Sequence, residues 1–145
     1  MSTLRKLLTE KGYERIKLKL TGTNHLEIPA KINNIDGVFL LDTGASSSCV
    51  SFDTVNYFKL SAEDSDIRAA GAGATNMLTQ ISTKNTLKIA QWKMKNLELV
   101  LFDLKHVNQA LTEHKADPVH GIIGADVLKK GTAVIDYKNK CLYLK

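Results

Sequence analysis

Cysteine and long hydrophobic runs are scarce in this sequence. Two of the 145 residues are cysteines, Cys49 and Cys141, and residues 1–12 contain no long apolar run. Neither a signal peptide nor a membrane span is expected there. Without an export signal, reduced thiols in a cytoplasmic protein are the expectation. Cys49, which lies in a Ser-Cys-Val run, is predicted to be a small buried hydrophobic residue.

Positive charge is not concentrated in one part of the chain. A net charge of +5 raises the question of nucleic-acid binding, but the lysines and arginines are scattered, often beside an acidic residue. In the densest stretch, residues 11–19, the later lysines alternate with apolar residues, as on the solvated face of a strand. Paired aromatic residues that could stack on bases are missing near these lysines. We therefore expect no nucleic-acid partner.

Motifs for phosphate and metal binding are also missing. Residues 71–76 contain two glycines but lack the Gly-Lys-Ser or Gly-Lys-Thr of a phosphate loop and the third glycine of a dinucleotide fingerprint. His106, His114, Asp117 and His120 match no familiar metal-ligand spacing, so we interpret the histidines as exposed loop residues. The sequence gives no reason to expect a metal or another cofactor.

Short apolar or alternating segments separated by turn residues make up most of the chain. Residues 1–12 predict an N-terminal helical extension that begins at Ser2 or Thr3 and ends at Gly12. The many short strands predict an all-β closed barrel or sandwich with short helices, in a single domain of residues 1–145. Hairpins are expected from strands 16–20 and 26–32, from strands 67–70 and 77–81, and over residues 133–144; further strands are expected at 38–41, 86–90, 97–102 and 121–124. Turns are expected at 21–24, 33–37 and 138–139. Short helices are expected at 51–60 and 125–130, and a polar helix or loop at 106–114.

One apolar strand leads directly into an acidic residue. Residues 38–41, Val-Phe-Leu-Leu, are followed by Asp42, Thr43 and Gly44. A carboxylate is costly to bury beside apolar residues unless it has partners. Glycine permits a tight turn and a close main-chain approach, and threonine supplies a hydroxyl that can donate and accept. Asp-Thr-Gly alone is a weak signal, but the apolar run before it disfavours an ordinary surface turn and indicates a buried acid.

Two segments together resemble a known family. Residues 38–50 resemble the active-site strand and loop of the retropepsins, the single-domain aspartic proteases of retroviruses and their cellular relatives. Residues 121–124, Gly-Ile-Ile-Gly, and the helix with Asp126 and Leu128 after them are similar to the apolar-apolar-Gly strand and terminal helix of that family. The order of acid loop, glycine-bearing flap hairpin, apolar-apolar-Gly strand, short helix and last strands matches from about residue 16 to 144. The resemblance implies a retropepsin-like fold and hydrolysis of a polypeptide substrate.

The resemblance also implies roles for individual residues. Asp42 corresponds to the catalytic aspartate. Thr43 would make the crossed hydrogen bonds between two active-site loops, and Gly44 would help to bind the substrate backbone. Further substrate contacts are expected from Ala45, from Ile122 beside a side-chain pocket, and from Gly71, Ala72 and Gly73 at the flap tip.

The sequence departs from the family pattern at one pair of positions. Many retroviral enzymes have an acid just beyond the Asp-Thr-Gly-Ala motif that pairs with an arginine after the apolar-apolar-Gly motif. Here those positions are Ser46 and Ala125. Because both partners are neutral, no charge is left unpaired, and such replacements need cost little stability. One known way of bracing the dimer is nevertheless missing.

A single Asp-Thr-Gly motif implies that two chains form the site. Two carboxylates that share a proton are needed to activate water for peptide hydrolysis, and aspartic proteases are the standard example of such a pair. Asp126 and Asp136 also lie near apolar residues but lack the following Thr-Gly. A homodimer with two-fold symmetry would supply the second Asp42. The apolar tail, residues 141–144, is a candidate interface strand.

The main alternative is a catalytically silent module that has the same fold and only dimerises or binds peptides, because fold does not fix function. The intact Asp-Thr-Gly disfavours this alternative, since a binding module needs no buried acid.

Overall fold

The computed structural model of the chain describes residues 3–71 and 74–145. The helices are α1 (Leu4–Glu10), α2 (Lys105–Glu113) and α3 (Ala125–Lys130). The strands are β1 (Glu14–Lys17), β2 (Lys19–Leu20), β3 (Leu26–Ile32), β4 (Ile35–Leu41), β5 (Cys49–Ser51), β6 (Glu63–Gly71), β7 (Ala74–Ile89), β8 (Trp92–Phe102), β9 (Gly121–Ile123), β10 (Val134–Asp136) and β11 (Cys141–Leu144). The mostly β class with short helices is confirmed.

Six of these strands close into a barrel. They pair in the order β3-β4-β9-β5-β8-β7, and β7 returns to β3 through the pairs Lys31–Lys88 and Ile32–Leu87. Along β3 buried and more exposed residues alternate, because successive side chains point to opposite faces of a strand and one face lines the barrel. β6 and β7 form the predicted hairpin. The segment predicted as a separate strand at 86–90 is the end of the 16-residue β7.

The barrel interior holds the main hydrophobic core. Its most buried members include Ile28, Phe39, Leu99 and Leu101, each at most 1% exposed. A second cluster lies between the barrel wall and α2. It contains buried residues from β4, β5, β8, β9 and α2 and from the segments just before α2 and β9: Leu40, Cys49, Val100, Leu104, Leu111, Val119 and Ile122. Cys49 is therefore a buried small residue, as predicted.

A separate sheet of three strands, in the order β1-β11-β10, contributes Ile16, Leu142 and Leu144 to the main core. The residues Cys141–Leu144 of β11 are all buried, and β11 pairs with β1 on one edge and with β10 on the other. The prediction of an unpaired apolar interface strand at 141–144 is wrong, because the chain itself pairs both edges. Only Lys19–Leu20 forms the hairpin expected with β3, since β1 pairs with β11 instead.

The turn between β3 and β4 is shorter than predicted. Asn33 and Asn34, with φ angles of 52° and 67°, form a two-residue connection of the kind that suits the twist of a hairpin. Gly37 therefore lies within β4 and not in the turn. A Cβ atom at Gly37 would come within 2.7 Å of the Phe58 ring and 2.9 Å of the Phe39 ring, so glycine is required there by packing.

The predicted helices are confirmed except at 51–60, where only Phe52–Thr54 is helical, as one 3-10 turn. At the start of α1, Thr3 Oγ1 accepts the Lys6 N–H at 3.1 Å, and Gly12 with φ 88° follows its end. Leu8 of α1 packs on Cys141 and Tyr143 of β11. None of the helices in residues 3–71 and 74–145 is long and apolar enough to cross a membrane.

Candidate active site

The loop of residues 42–48 wraps around the end of β9. β4 pairs with β9 in parallel, with Leu41 opposite Ile123, and β5 pairs with the other edge of β9 in antiparallel orientation, with Cys49 opposite Ile122. The loop joins β4 to β5 and therefore has to pass over the end of β9, where α3 begins. This arrangement brings the Asp-Thr-Gly segment and the Gly-Ile-Ile-Gly segment together, as the resemblance implied.

Two glycines make this close approach possible. A Cβ atom at Gly121 would lie 2.1 Å from the carbonyl oxygen of Cys49. A Cβ atom at Gly124 would lie 2.6 Å from the carbonyl oxygen of Ala45. Real Cβ atoms do not approach backbone oxygens so closely, because such contacts are strongly repulsive. Glycine at both positions therefore permits the loop to pack against β9 and the start of α3.

Asp42 stands at the exposed start of the loop. Its backbone N–H donates to the Ile123 carbonyl at 3.0 Å, and its own carbonyl accepts the Ala45 N–H at 3.2 Å. The Gly44 N–H donates to Asp42 Oδ1 at 2.8 Å. The expectation of a buried acid is wrong for the single chain, because the apolar strand ends at Leu41 and Asp42, Thr43 and Gly44 are all exposed.

An open groove of about 360 Å³ borders the loop at Thr43. Its walls come from the loop, from α3 and from the segment that leads into β10. The lining residues are Thr43, Ala125, Leu128, Lys129, Thr132, Ala133 and Ile135. Thr43 thus faces a mainly apolar surface that is continuous with β10.

The predicted substrate-contacting residues lie in different parts of the chain, and the structure describes only some of them. Ala45 is partly buried and Ile122 is 9% exposed, and both belong to the cluster under α2. Ile122 lies opposite Leu40 of β4, the strand that leads into Asp42. Gly71 ends β6 and pairs with Ala74 across the hairpin. Ala72 and Gly73, predicted at the flap tip, lie outside the described residues.

Sequence reasoning missed two residues that hold the loop from below. Ser48 is fully buried, and its Oγ donates to Asp126 Oδ1 at 2.7 Å while accepting the Gly124 N–H at 2.8 Å. The sequence predicts Asp126 in the short helix after the apolar-apolar-Gly segment and as an acid without a following Thr-Gly, but it predicts no contact with the loop. The available signal was an acid in the first turn after the apolar-apolar-Gly segment, combined with a run of three serines after the Asp-Thr-Gly-Ala motif.

The thiol of Cys49 lies next to this network. Burial, followed by the negative charges of Asp126 and Asp42, raises the pKa of Cys49 from 9.0 to about 12, although a backbone hydrogen bond with Ile122 opposes the shift. The thiol is therefore neutral at physiological pH. A neutral, buried thiol of this kind acts as a packing residue and not as a nucleophile.

The histidines do not form a metal site. In the part of the chain that the structure describes, no three His, Cys, Asp or Glu side chains are close enough to hold a metal ion. His120 is not an exposed loop residue as expected. It is partly buried, its Nδ1 accepts the Val38 N–H at 3.0 Å, and its ring stacks on Tyr57 with centroids 5.2 Å apart. Its role in this structure is to hold the start of β9 against β4.

A closed β-barrel in which an Asp-Thr-Gly loop wraps around an apolar-apolar-Gly strand defines the retropepsin-like class of aspartic proteases. The sequence profile of the family described as aspartyl protease matches residues 28–127, which is more than half of the chain, so this chain belongs to that family. The match includes the Asp42 loop, β9 and the first half of α3. No curated protein sequence matches the chain significantly.

Three solved structures illustrate the shared fold. At identities below 25% and TM-scores above 0.5, each shows a common fold. The EIAV protease in complex with an inhibitor has 23% identity and a TM-score of 0.55, and the match covers 76% of this chain and 90% of that chain. A retropepsin-like aspartic protease from Rickettsia conorii has 18% identity and a TM-score of 0.59, with 91% of each chain covered. The retroviral protease-like domain of Ddi1 from Leishmania major has 20% identity and a TM-score of 0.55, with 88% of this chain and 90% of that chain covered.

Proposed function

We propose that the chain is an aspartic endopeptidase that acts as a homodimer, with one Asp42 carboxylate from each subunit. The observation that carries the proposal is the segment Asp42, Thr43 and Gly44, exposed on a loop that is anchored underneath. One chain supplies one such carboxylate, and the Asp-Thr-Gly motif occurs once in its 145 residues. Membership of the aspartyl protease family supports the same chemistry.

The proposed reaction uses the two carboxylates in different protonation states. The ionised Asp42 accepts a proton from water while the water oxygen attacks the carbonyl carbon of the peptide bond. The protonated Asp42 of the other subunit donates its hydrogen to the carbonyl oxygen. In the second step the Asp42 that took the water proton donates it to the amide nitrogen, and the other Asp42 takes a proton back from a hydroxyl of the tetrahedral intermediate. The C–N bond then breaks to give a carboxylic acid and an amine, and the two carboxylates return to their starting states. Within each subunit, the Gly44 N–H on Oδ1 fixes the orientation of the carboxylate.

The groove beside Thr43 supports the proposal of a second copy at this face. Its apolar walls from Leu128, Ala133 and Ile135 lie next to the residues that need a partner loop. β10, which carries Ile135, is an edge strand of its sheet, and edge strands present unpaired backbone groups that can pair with another chain. β10 therefore replaces the 141–144 segment as the candidate interface strand. A stable dimer would bury more than about 1,000 Å² in total.

The test compares wild-type protein with Asp42→Asn on a peptide library, from mildly acidic to mildly alkaline pH. Both proteins are used at a concentration where sedimentation shows the dimer. Wild type should cleave peptides with a bell-shaped dependence on pH, because one carboxylate must be ionised and the other protonated. Asp42→Asn preserves the side-chain shape but removes the base, so cleavage should be abolished while the dimer persists.

Three outcomes would contradict the proposal. If both proteins cleave equally, the activity belongs to another site. If wild type cleaves nothing while both proteins bind the same peptides equally well, the chain is the silent binding module of the alternative hypothesis. A strict monomer that retains activity at high micromolar concentration would exclude the shared site.

A further inference from the structure

The segment 123–126 holds the active-site loop at three points. The Asp42 N–H donates to the Ile123 carbonyl at 3.0 Å, and the Ala125 N–H donates to the Ala45 carbonyl at 2.7 Å. Both contacts join backbone atoms, so any residue type would form them. The third contact joins the side chains of Ser48 and Asp126 at the far end of the loop. This contact therefore depends on the residues present at these two positions.

The carboxylate of Asp126 accepts hydrogen bonds from the active-site loop and from α3. Ser48 Oγ–H donates to Oδ1 at 2.7 Å, and the Ser48 N–H lies 3.0 Å from both carboxylate oxygens. The Val127 N–H donates to Oδ1 at 2.8 Å. Ser48 Oγ also accepts the Gly124 N–H at 2.8 Å, and Ser48 is fully buried. Hydrogen bonds to an ionised acceptor are about twice as strong as neutral ones, so this contact is a strong one.

The charge of Asp126 is balanced by these donors and not by a cation. Lys19 with Asp117 and Lys31 with Asp36 are the ion pairs found among the described residues, and neither involves Asp126. A carboxylate that depends on N–H and O–H donors for its stabilisation holds those donors in fixed positions. The Ser48 amide and hydroxyl belong to the loop, so the loop end is fixed relative to α3.

We propose that Asp126 and Ser48 are positioning residues for the reaction at Asp42. Asp126 follows Ala125 directly, and Ser48 lies two residues after Ser46, so the contact joins the two segments that carry these neutral residues. It is a partly buried hydrogen-bonded contact within one chain. Because it concerns the catalytic loop, the inference rests on the proposed protease function.

The substitution Asp126→Asn tests the contact with little change in volume. An amide has one acceptor oxygen and an NH2 group that only donates. Three donors converge on the carboxylate, so an amide nitrogen would face at least one of them, donor against donor. Ser48→Ala removes the hydroxyl from the other side. Asp103→Asn is a matched control, because Asp103 Oδ1 accepts the Lys105 N–H at 2.8 Å at the start of α2, away from the loop.

The expected result is a loss of turnover without a matching loss of substrate affinity. Asp126→Asn and Ser48→Ala should each lower kcat by about 10- to 100-fold with KM changed less than about threefold, as for a displaced reacting group. The double variant should be no worse than the worse single variant, because both remove one contact. Asp103→Asn should match wild type. Rates are compared at a temperature where circular dichroism shows every variant folded.

Two kinetic results would overturn the inference. One is a wild-type kcat in folded Asp126→Asn, and the other is additive losses in the double variant. A second measurement tests the inference even if the wild-type protein cleaves no peptide. That absence of cleavage would contradict only the protease proposal. The NMR amide signals of Gly44 and Ala45, at the catalytic end of the loop, should shift in Asp126→Asn and stay unchanged in Asp103→Asn. Unchanged signals in both would show that Asp126 does not position Asp42.

Discussion

The two sides of the active-site loop are held very differently. The side toward β9 and α3 is anchored by Ser48, which is fully buried and hydrogen-bonded to Asp126 and Gly124. The opposite side presents Asp42, Thr43 and Gly44, all exposed. The loop is therefore held in a fixed geometry on the side toward β9 and α3, while its opposite surface is exposed to solvent. The difference teaches that one chain fixes the loop from one side only, and the open side is where the proposed dimer places the second subunit.

The largest effect should come from breaking the anchored side. Gly121→Ala places a methyl group 2.1 Å from the Cys49 carbonyl oxygen, so β5 and β9 must separate. Overpacking of this severity should lower the free energy of unfolding by about 3 kcal/mol or more. Urea denaturation followed by circular dichroism measures it. Gly22→Ala is the control, because its Cβ would meet the His114 carbonyl oxygen at an ordinary 3.5 Å; equal stability of the two variants would refute the packing argument.

A smaller effect should come from blocking the open side. Ala133→Arg puts a long charged side chain into the groove beside Thr43 without changing the anchoring contacts. We expect the dimer to weaken at least tenfold, or about 1.4 kcal/mol, and activity per chain to recover as the protein concentration is raised. Sedimentation and concentration-dependent cleavage measure the two effects. Ala110→Arg, on an exposed position of α2, should change neither, and dimers of unchanged strength in Ala133→Arg would place the interface elsewhere.

The gentlest probe of the anchored side is the thiol of Cys49. Burial raises its pKa to about 12 in the folded chain, so the unfolded chain loses this proton first as pH rises. The thiol's contribution to stability is full below about pH 9 and declines by about 1.4 kcal/mol per pH unit toward pH 12. Urea denaturation between these pH values should show this slope in wild type. The slope should decrease by that amount in Cys49→Ala, and identical slopes would show that the thiol ionises freely in the folded state.

The sequence alone was enough to predict the strand-rich class, the hairpins and the meeting of the Asp42 loop with residues 121–124. These features are local patterns or follow from a family resemblance. It was not enough to predict which strand covers which edge. Residues 141–144 look the same in sequence whether they pair with β1 of their own chain or with another molecule. The Ser48–Asp126 contact was missed because its partners are 78 residues apart and the resemblance implied no role for either side chain.

The threading of β9 between β4 and β5 has a consequence for biosynthesis and folding. The contacts that fix the loop, such as Asp42 N–H to the Ile123 carbonyl, join residues about 80 positions apart in the chain. Contacts of such high sequence separation form late and slow folding, because a long loop must be closed first. While a ribosome is still making the last third of the chain, the Asp42 N–H lacks its partner, the Ile123 carbonyl, and Ser48 lacks its partner Asp126. The nascent chain should therefore carry the Asp42 carboxylate without a defined geometry until residues 121–126 have emerged.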